Sequence, residues 1–292
     1  MEKDALKKLS LRVINWNISY QVNNPKSKLL KSAINEVKTP SVIALQEVSE
    51  GTYQDLCENE ILKGCVFSLN YRKPGRFDGK NRALGCLIAC VGDIVVMESS
   101  VIERAPFPER TLVARLKVAD NVFEIVCFHS LTGVAYGRAK SAQFSAISEY
   151  LHGLSGVPVV FCGDANEPKI DHYDLDKTVF FNQKGDGGKT AKMLLGRTDA
   201  HNLRDAYRIW LESNDKELER IKRYQGEKEK NLDSAPLAVS HIVRGKKKRY
   251  DYLFVSPEWS VENVDYRYAK AMFTGSDHAM LVVDLILADH LK

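Results

Sequence analysis

Polar side chains that could do chemistry collect where the short apolar segments of this sequence end. They are Asn15, Asn17, Gln46, Glu47, His129, Asp164, Asn166, Asp251, Asp277 and His278. At a strand end a side chain can leave the core, so residues from several strands can converge on one rim. Carboxylates, carboxamides and two histidines make an oxygen-rich set. That set suits a hard divalent cation such as Mg²⁺, with phosphate oxygens as its other ligands.

Each of these residues also has a purely structural explanation. An Asp or Asn at a strand end commonly forms a turn or caps a helix, and a single His is more often a structural donor than a catalyst. The recurrence at six successive strand ends is what favours a functional site. Trp16, which lies between two of the asparagines, should point to the opposite side of its strand and belong to the core.

The elements that would position these residues follow from hydrophobic patterning. Apolar runs predict strands at 11–18, 42–46, 83–91, 111–118, 122–128, 157–163, 250–256 and 279–287. Helices are predicted at 26–38, 52–62, 138–152 and 203–224, and 225–249 is interpreted as an irregular surface insertion. A tight turn at Asp120 and Asn121 predicts an antiparallel hairpin. The pattern indicates a mixed sheet, or two sheets covered by helices, rather than an all-parallel doubly wound fold.

Composition limits the class of protein. The 292 residues are 44% hydrophobic and 27% charged, and no run approaches the roughly 18 apolar residues that span a bilayer. No linker divides the chain, so we expect a single domain over 1–292. The charged start MEKDALKKLS has no apolar segment, which predicts an intracellular protein, cytoplasmic or, in a eukaryote, nuclear. The net charge of +4 suits an anionic partner without proving one.

The cysteines within the apolar runs are Cys86, Cys90, Cys127 and Cys162. No close pair repeats at the spacing of a zinc site. Buried reduced thiols are the preferred interpretation, with a structural disulfide as the less favoured one.

The order of the polar motifs resembles the signature series of the endonuclease/exonuclease/phosphatase superfamily, which includes pancreatic deoxyribonuclease and the exonuclease III type abasic-site endonucleases. The motifs are NWN (15–17), LQEV (45–48), FHS (128–130), GDAN (163–166), YDYLFVS (250–256) and SDH (276–278). FPER (107–110) and RAKSAQ (138–143) also resemble family positions. The resemblance implies an α/β fold, a four-layer sandwich of two mixed β-sheets packed face to face and flanked by helices. It also implies metal-dependent cleavage of a phosphate ester.

Matched motif by motif, the resemblance implies a role for each residue. It gives the Mg²⁺ site, which could also take Mn²⁺, to Glu47, Asn17 and Asp277. It gives catalysis to His129, Asp164, Asn166, Asp251 and His278. In this scheme Asp164 deprotonates the attacking water, Asn166 and His129 hold phosphate oxygens, and Asp251 orients and charges His278 at the scissile phosphate.

Two positions depart from particular subfamilies. Abasic-site endonucleases and tyrosyl-DNA phosphodiesterases carry an Asp where this chain has Ser19, a weaker and neutral ligand. Inositol polyphosphate phosphatases carry a GDxNxR motif, and this chain has Pro168 at the position of the motif's Arg. Both departures count against close assignment to those groups.

The basic run RGKKKR (244–249) leads directly into Asp251. Such a run is usually a solvated loop or a localisation signal. Its position before a candidate site residue favours contact with a phosphate backbone. The candidate phosphate-binding residues are Lys246, Lys247, Lys248, Arg249 and Arg138. His241 lies in the same approach to the site but has no assigned role.

The leading prediction is therefore a metal-dependent phosphodiesterase, a nuclease acting on DNA or RNA. One alternative is a phosphatase or phosphodiesterase for small or lipid-linked phosphates. Another is a non-catalytic nucleic-acid-binding module that keeps the fold. The choice between DNA and RNA, endonuclease or exonuclease action, the number of metals and the oligomeric state all stay open at this stage.

Overall fold

Two six-stranded mixed sheets form the centre of the computed structural model, which describes residues 8–20, 26–38, 40–74, 83–154 and 156–288. One sheet has the order β13 (Trp259–Arg267), β14 (Met280–Leu287), β1 (Ser10–Asn17), β2 (Ser41–Val48), β4 (Gly85–Val91), β3 (Lys63–Phe67). The other has the order β5 (Ile94–Ser100), β6 (Thr111–Val118), β7 (Asn121–His129), β8 (Val159–Asp164), β12 (Asp251–Val255), β9 (Arg204–Asp205). The pairs β1–β2 and β7–β8 are parallel and the other pairs are antiparallel. A separate hairpin pairs β10 (His241–Val243) with β11 (Lys246–Lys248).

Most of the helices cover the outer face of a sheet, whereas the two that follow β9 add buried residues to the core between the sheets. The helices are α1 (Lys26–Asn35), α2 (Glu50–Cys57), α3 (Gly133–Tyr136), α4 (Arg138–Gly153), α5 (Lys189–Leu195), α6 (Ala206–Glu212), α7 (Asp215–Glu227) and α8 (Tyr268–Thr274). Phe144 of α4 packs edge-on against Phe128 outside the second sheet, and Leu56 of α2 belongs to the cluster that contains Trp16 outside the first. A third core lies between the two sheets. The predicted four-layer sandwich of two mixed sheets flanked by helices is confirmed.

The alternation of side chains along a strand assigns each residue to one of these layers. In β1, Leu11 and Val13 enter the core between the sheets, and Ile14 and Trp16 enter the outer one. Asn17 therefore belongs to the inner face, because successive side chains point to opposite sides of a strand. Trp16 is fully buried, as predicted, and its indole donates to the carbonyl of His278 at 3.1 Å.

The cysteine prediction concerns the same inner layer. Cys86, Cys90, Cys127 and Cys162 are buried and free. They are small apolar members of the core between the sheets, as expected for reduced thiols.

Several predicted elements need correction. The β6–β7 hairpin forms, but Val118 pairs with Asn121, so the two-residue loop is Ala119 and Asp120 rather than Asp120 and Asn121. The single helix predicted over 203–224 is divided into α6 and α7. The division occurs because the Asn214 side chain accepts from the backbone N–H of Glu217 and starts a new helix.

The segment 225–249 is not the irregular insertion predicted from its composition. It completes α7, continues through a 3-10 turn at Glu229–Ser234 and forms the β10–β11 hairpin. Gln225, Ser240 and Arg249 from this segment are buried. Gln225 and Arg249 both bond Asp171, far away in the chain, so local composition gives no sign of this packing.

The strands that patterning did not predict include β3, β5, β9 and β13, which occupy the edges of the two large sheets. An edge strand has fewer covered neighbours and carries more polar residues, which weakens its hydrophobic signal. β5 shows this, because most of its residues are exposed or partly exposed. Helices α3, α5 and α8 are short and were also not predicted.

No helix in the described part of the chain is long and apolar enough to cross a membrane. Residues 1–7, which make up most of the N-terminal segment behind the intracellular prediction, lie outside the described residues.

Candidate active site

The strand register of the second sheet brings three of the predicted catalytic residues side by side. His129 at the end of β7 pairs with Asp164 in the parallel β8, and Asp164 pairs with Asp251 in the antiparallel β12. Cys127 and Cys162, two residues before His129 and Asp164, point into the core between the sheets. The three side chains therefore continue the inner face of this sheet at one of its ends.

The first sheet contributes Asn17 and Glu47 to the same end. Asn17 closes β1 and lies opposite Gln46 of β2, one residue before Glu47. The Asn17 amide Nδ2 donates to Asp164 Oδ2 at 3.1 Å and to Glu47 Oε1 at 3.3 Å. One carboxamide thus links carboxylates from the two sheets.

His278 and Asp251 form the predicted acid–imidazole pair. Asp251 Oδ2 lies 2.9 Å from His278 Nδ1, and the other ring nitrogen, Nε2, lies 3.9 Å from Asp164 Oδ2. Burial alone would lower the pKa of His278, but the charges of Asp251 and Asp164 outweigh burial and raise that pKa to about 10. The ring is therefore a cation at neutral pH and faces the carboxylate of Asp164.

Asp164, like Asp251, is a buried carboxylate. Burial, opposed by the charge of His278, raises the pKa of Asp164 to about 6. Its Oδ1 accepts from the backbone N–H of Asn166 at 2.9 Å, and its Oδ2 receives the Asn166 amide at 3.3 Å. A carboxylate with a pKa in this range can take a proton near neutral pH.

His129 lies between the two sheets. Its Nε2 is 3.6 Å from Glu47 Oε1 and 3.6 Å from Asp164 Oδ2, while its Nδ1 is 3.0 Å from a guanidinium nitrogen of Arg110. Burial and the positive charges of Arg110 and His278 hold the pKa of His129 well below its ordinary value. The two histidines of the site therefore differ in charge at neutral pH.

Three non-glycine residues at the site have left-handed backbone conformations. They are Ser19 with φ 51°, Glu47 with φ 59° and Asn166 with φ 48°. Such conformations are uncommon outside glycine and cluster at functional sites, where surrounding contacts maintain them. The contacts here include the Ser19 backbone N–H, which donates to Asn17 Oδ1 at 3.0 Å.

Asp277 lies at the mouth of the site, with a side chain that is 56% exposed. Its carboxylate is 4.0 Å from Nδ1 of His241, and the His241 ring stacks on His278 with centroids 4.1 Å apart and planes 13° apart. Asp277, His241 and His278 have the composition of a metal site. Two nearly parallel stacked rings, however, cannot both direct a lone pair in the ring plane at one ion, so the observed arrangement does not suit shared coordination.

Oxygen donors at the deeper end of the site fit a hard cation better. Glu47 supplies a carboxylate and Asn17 a carboxamide, which are donor types that Mg²⁺ and Mn²⁺ take. Two buried carboxylates, Asp164 and Asp251, lie beside His278. The ring engages Asp251 at 2.9 Å, which leaves the carboxylate of Asp164 available.

The basic run is placed differently from its prediction. Arg249 is 1% exposed and forms ion pairs with Asp171 and Asp205 at 2.7 Å each, so it is a core residue and does not face solvent. Lys248 is also buried and donates to the carbonyl of Lys169 at 2.7 Å.

The other candidate phosphate-binding residues are accessible. Lys246 and Lys247 lie exposed on β11, where Lys246 pairs with Asp233, and Arg138 is exposed at the start of α4. The hairpin that carries the two lysines reaches the site through a bridge between His241 and His278.

Two residues near the reaction site were not among the predicted site residues. Arg110 touches His129, and Lys140 donates to the carbonyl of Asn166 at 2.8 Å while pairing with Glu167 at 3.0 Å. Both lie within the FPER and RAKSAQ segments. The sequence signal for these segments was present, but nothing in it indicated which partner each cation would meet.

Comparison with solved structures identifies the fold. The human Nocturnin catalytic domain with bound sulfate matches with a TM-score of 0.64 and 20% identity, covering 97% of each chain. ANGEL2, a 2',3'-cyclic phosphatase, in complex with adenosine-2',3'-vanadate, matches with a TM-score of 0.62 and 16% identity, again covering 97% of each chain. D. rerio TDP2 complexed with single-strand DNA product matches with a TM-score of 0.61 and 14% identity, covering 94% of this chain and 98% of the TDP2 chain.

These similarities establish that the chain has the endonuclease/exonuclease/phosphatase fold, as its motifs predict. No family model matches the sequence, and no curated protein matches it. At sequence identities of 20% or less, these structural matches support a shared fold and do not establish a shared activity. The activity therefore depends on this chain's own site residues.

Proposed function

We propose that the protein hydrolyses phosphodiesters with the aid of a divalent cation, and that its substrate is a nucleic acid. The main support is one arrangement of charge. An imidazolium, His278, held by the buried Asp251, faces the carboxylate of Asp164 at 3.9 Å. The buried imidazolium can stabilise negative charge on a phosphate oxygen, and the carboxylate beside it can act as a general base. The two groups are close enough to act on the same phosphate.

The cation would be held by Glu47 and Asn17, with Asp277 nearer the mouth. When bound, it would neutralise charge on the phosphate and lower the pKa of bound water. Mg²⁺ is the first choice and Mn²⁺ the second, because the donors are oxygens.

This chain's own groups account for the movement of protons. Asp164, oriented by the Asn166 backbone N–H, would align a water molecule and accept its proton as the water oxygen bonds to phosphorus. His278 would donate a hydrogen bond to a phosphate oxygen, with Asp251 keeping the ring charged and oriented. The bond from phosphorus to the leaving oxygen then breaks, and that oxygen takes a proton from solvent.

Nucleic acid is the proposed substrate because exposed cations lie on an arm joined to the site. The β10–β11 hairpin carries Lys246 and Lys247 and is bridged to His278 through His241. Cations beside a phosphodiester site can follow a phosphate backbone beyond the cleaved bond. D. rerio TDP2, solved with a single-strand DNA product, supplies a precedent on the same fold.

A substrate panel with matched variants tests the proposal. The purified protein is assayed with Mg²⁺, Mn²⁺ or EDTA on plasmid, single-stranded DNA, RNA, abasic DNA and phosphoinositides. We expect cleavage of a nucleic acid that EDTA abolishes, near-complete loss in Glu47→Gln, and no change in the control Glu60→Gln, an exposed carboxylate that loses the same charge.

Other outcomes would redirect the assignment. Turnover of phosphoinositides alone would favour the small or lipid-linked phosphate alternative. Binding of nucleic acid with no turnover of any substrate would favour a non-catalytic module. Activity unaffected by EDTA, or a fully active Glu47→Gln, would remove the metal.

A further inference from the structure

We infer that Arg110 is a positioning residue that keeps Nδ1 of His129 unprotonated, so that the ring offers the substrate a neutral N–H donor at Nε2. The catalytic consequence of this inference rests on the proposed function. The position of the hydrogen on His129 depends only on the contact between Arg110 and His129.

The strand register explains why these two residues meet. In the antiparallel β6–β7 pair Thr111 lies opposite Phe128, so the next position along the ladder sets Arg110 opposite His129. Arg110 ends the 3-10 turn Pro108–Arg110. Both side chains are deeply buried, with Arg110 5% and His129 6% exposed, and the guanidinium lies 3.0 Å from His129 Nδ1.

Donor and acceptor chemistry then leaves one arrangement. A guanidinium has only N–H donors and is always protonated, so the nitrogen it meets must accept. His129 Nδ1 is therefore unprotonated, and the hydrogen of the neutral ring lies on Nε2. The guanidinium thereby excludes every form of the ring that carries a hydrogen on Nδ1, which leaves the Nε2–H tautomer.

The selected N–H faces the reaction site. His129 Nε2 lies 3.6 Å from both Glu47 Oε1 and Asp164 Oδ2, distances too long for hydrogen bonds. The Nε2–H therefore stays available for a phosphate oxygen that enters between the carboxylates. His129 thus serves as a neutral hydrogen-bond donor that does not transfer its proton to the substrate.

His278 has the opposite arrangement. Its Nδ1 meets the carboxylate of Asp251 at 2.9 Å, so Nδ1 must carry a hydrogen. A basic partner and an acidic partner thus give the two histidines different roles at one phosphate. His129 donates without charge, and His278 donates as a cation.

Nitrogen NMR of ¹⁵N-histidine-labelled protein tests the assignment without any assay of activity. In the metal-free parent we expect the unprotonated ring nitrogen of His129, identified by its loss in His129→Gln, to be Nδ1. In Arg110→Met nothing holds Nδ1 as an acceptor, while the two carboxylates still face Nε2, so both nitrogens should become protonated. Arg110→Lys, which keeps a donor, should retain the parent pattern. An unprotonated Nε2 in the parent, or an unchanged pattern in Arg110→Met, would overturn the inference.

Kinetics then test the catalytic consequence through the double variant. Loss of one oriented donor to the phosphate costs about 10²-fold in kcat, with a smaller change in KM. The Gln side chain presents an N–H whatever its neighbour, so adding Arg110→Met to His129→Gln should cost less than about threefold more. Arg104→Met, which removes an exposed guanidinium, is the control. Fully additive losses would show that Arg110 acts independently of His129.

The tautomer of His129 and the hydrolysis of phosphate esters can be refuted independently. The expected NMR pattern in a protein that cleaves no phosphate ester would leave the tautomer assignment in place and remove the proposed function. The reverse pattern in an active enzyme would remove the role of Arg110 alone.

Discussion

Arg249→Ala should destabilise the fold rather than weaken substrate binding. The guanidinium forms three hydrogen bonds to two carboxylates, at 2.7 and 3.1 Å to Asp171 and 2.7 Å to Asp205, and lies 4.4 Å from the ring centroid of Tyr252. Truncation leaves two buried carboxylates to share Arg208, which is 3.0 Å from Asp171 and 3.6 Å from Asp205. Removing one partner of a buried ion pair costs about 3–5 kcal/mol.

That free energy converts to a measurable shift in Tm. An unfolding entropy of roughly 2.1 cal/mol/K per residue gives about 0.6 kcal/mol/K for 292 residues. We therefore expect Tm to fall by about 5–8 °C in a thermal scan at pH 7. Lys247→Ala removes a nearby exposed cation and should leave the free energy of unfolding within about 0.5 kcal/mol of the parent.

The pH dependence carries a second expectation. Burial alone would raise the pKa of Asp171, but Arg249 and Arg208 hold it below its ordinary value, so this group stabilises the parent above that value and loses the effect in acid. Without Arg249 the burial effect is less opposed, and the pKa of Asp171 should rise. The variant can then take up a proton in the folded state, so its deficit in stability should shrink between pH 7 and pH 4.

Two outcomes would refute this reasoning. A stability loss no larger than that of Lys247→Ala would show that the buried network contributes little. An unchanged Tm together with weaker binding of nucleic acid would return Arg249 to the phosphate-binding role predicted from the basic run.

Two further predictions concern the site and its approach. Asp251→Asn and His278→Ala should each lower kcat by several orders of magnitude, and the double variant should be little worse than either, because the two act as one unit; additive losses in steady-state kinetics would contradict this. Replacing Lys246 and Lys247 together by Ala should reduce the slope of log K against log salt for an oligonucleotide by about 2, one counterion for each phosphate contact, and leave turnover of a nitrophenyl phosphodiester nearly unchanged. Equal slopes for variant and parent would make the hairpin a solvated loop.

The elements of the candidate site were largely predictable because its residues end apolar strands. The period of two along β7, β8 and β12 assigns His129, Asp164 and Asp251 to the same layer as the apolar residues two positions away. In β1 the same period assigns Asn17 to the layer of Val13, four positions before it. Edge strands such as β5 escaped prediction because half-exposed strands have weak patterning.

The basic run shows where sequence reasoning fails. Lys246, Lys247, Lys248 and Arg249 look equivalent as consecutive cations, yet two are exposed and two are buried. The buried pair has distant partners: Arg249 meets Asp171 and Asp205, 78 and 44 positions before it, and Lys248 meets the carbonyl of Lys169, 79 positions before it. A contact at that separation leaves no trace in local composition.

By itself, the sequence determined the types of the reacting groups and the strands that carry them, because both depend on local periodicity and on residue identity. Only the tertiary structure decided their charges and hydrogen positions. His129 and His278 are the same residue at two strand ends, and Arg110 and Asp251 make one a neutral donor and the other a cation. Electrostatic effects act through space, so protonation states follow from which partner the folded sheets bring within about 3 Å.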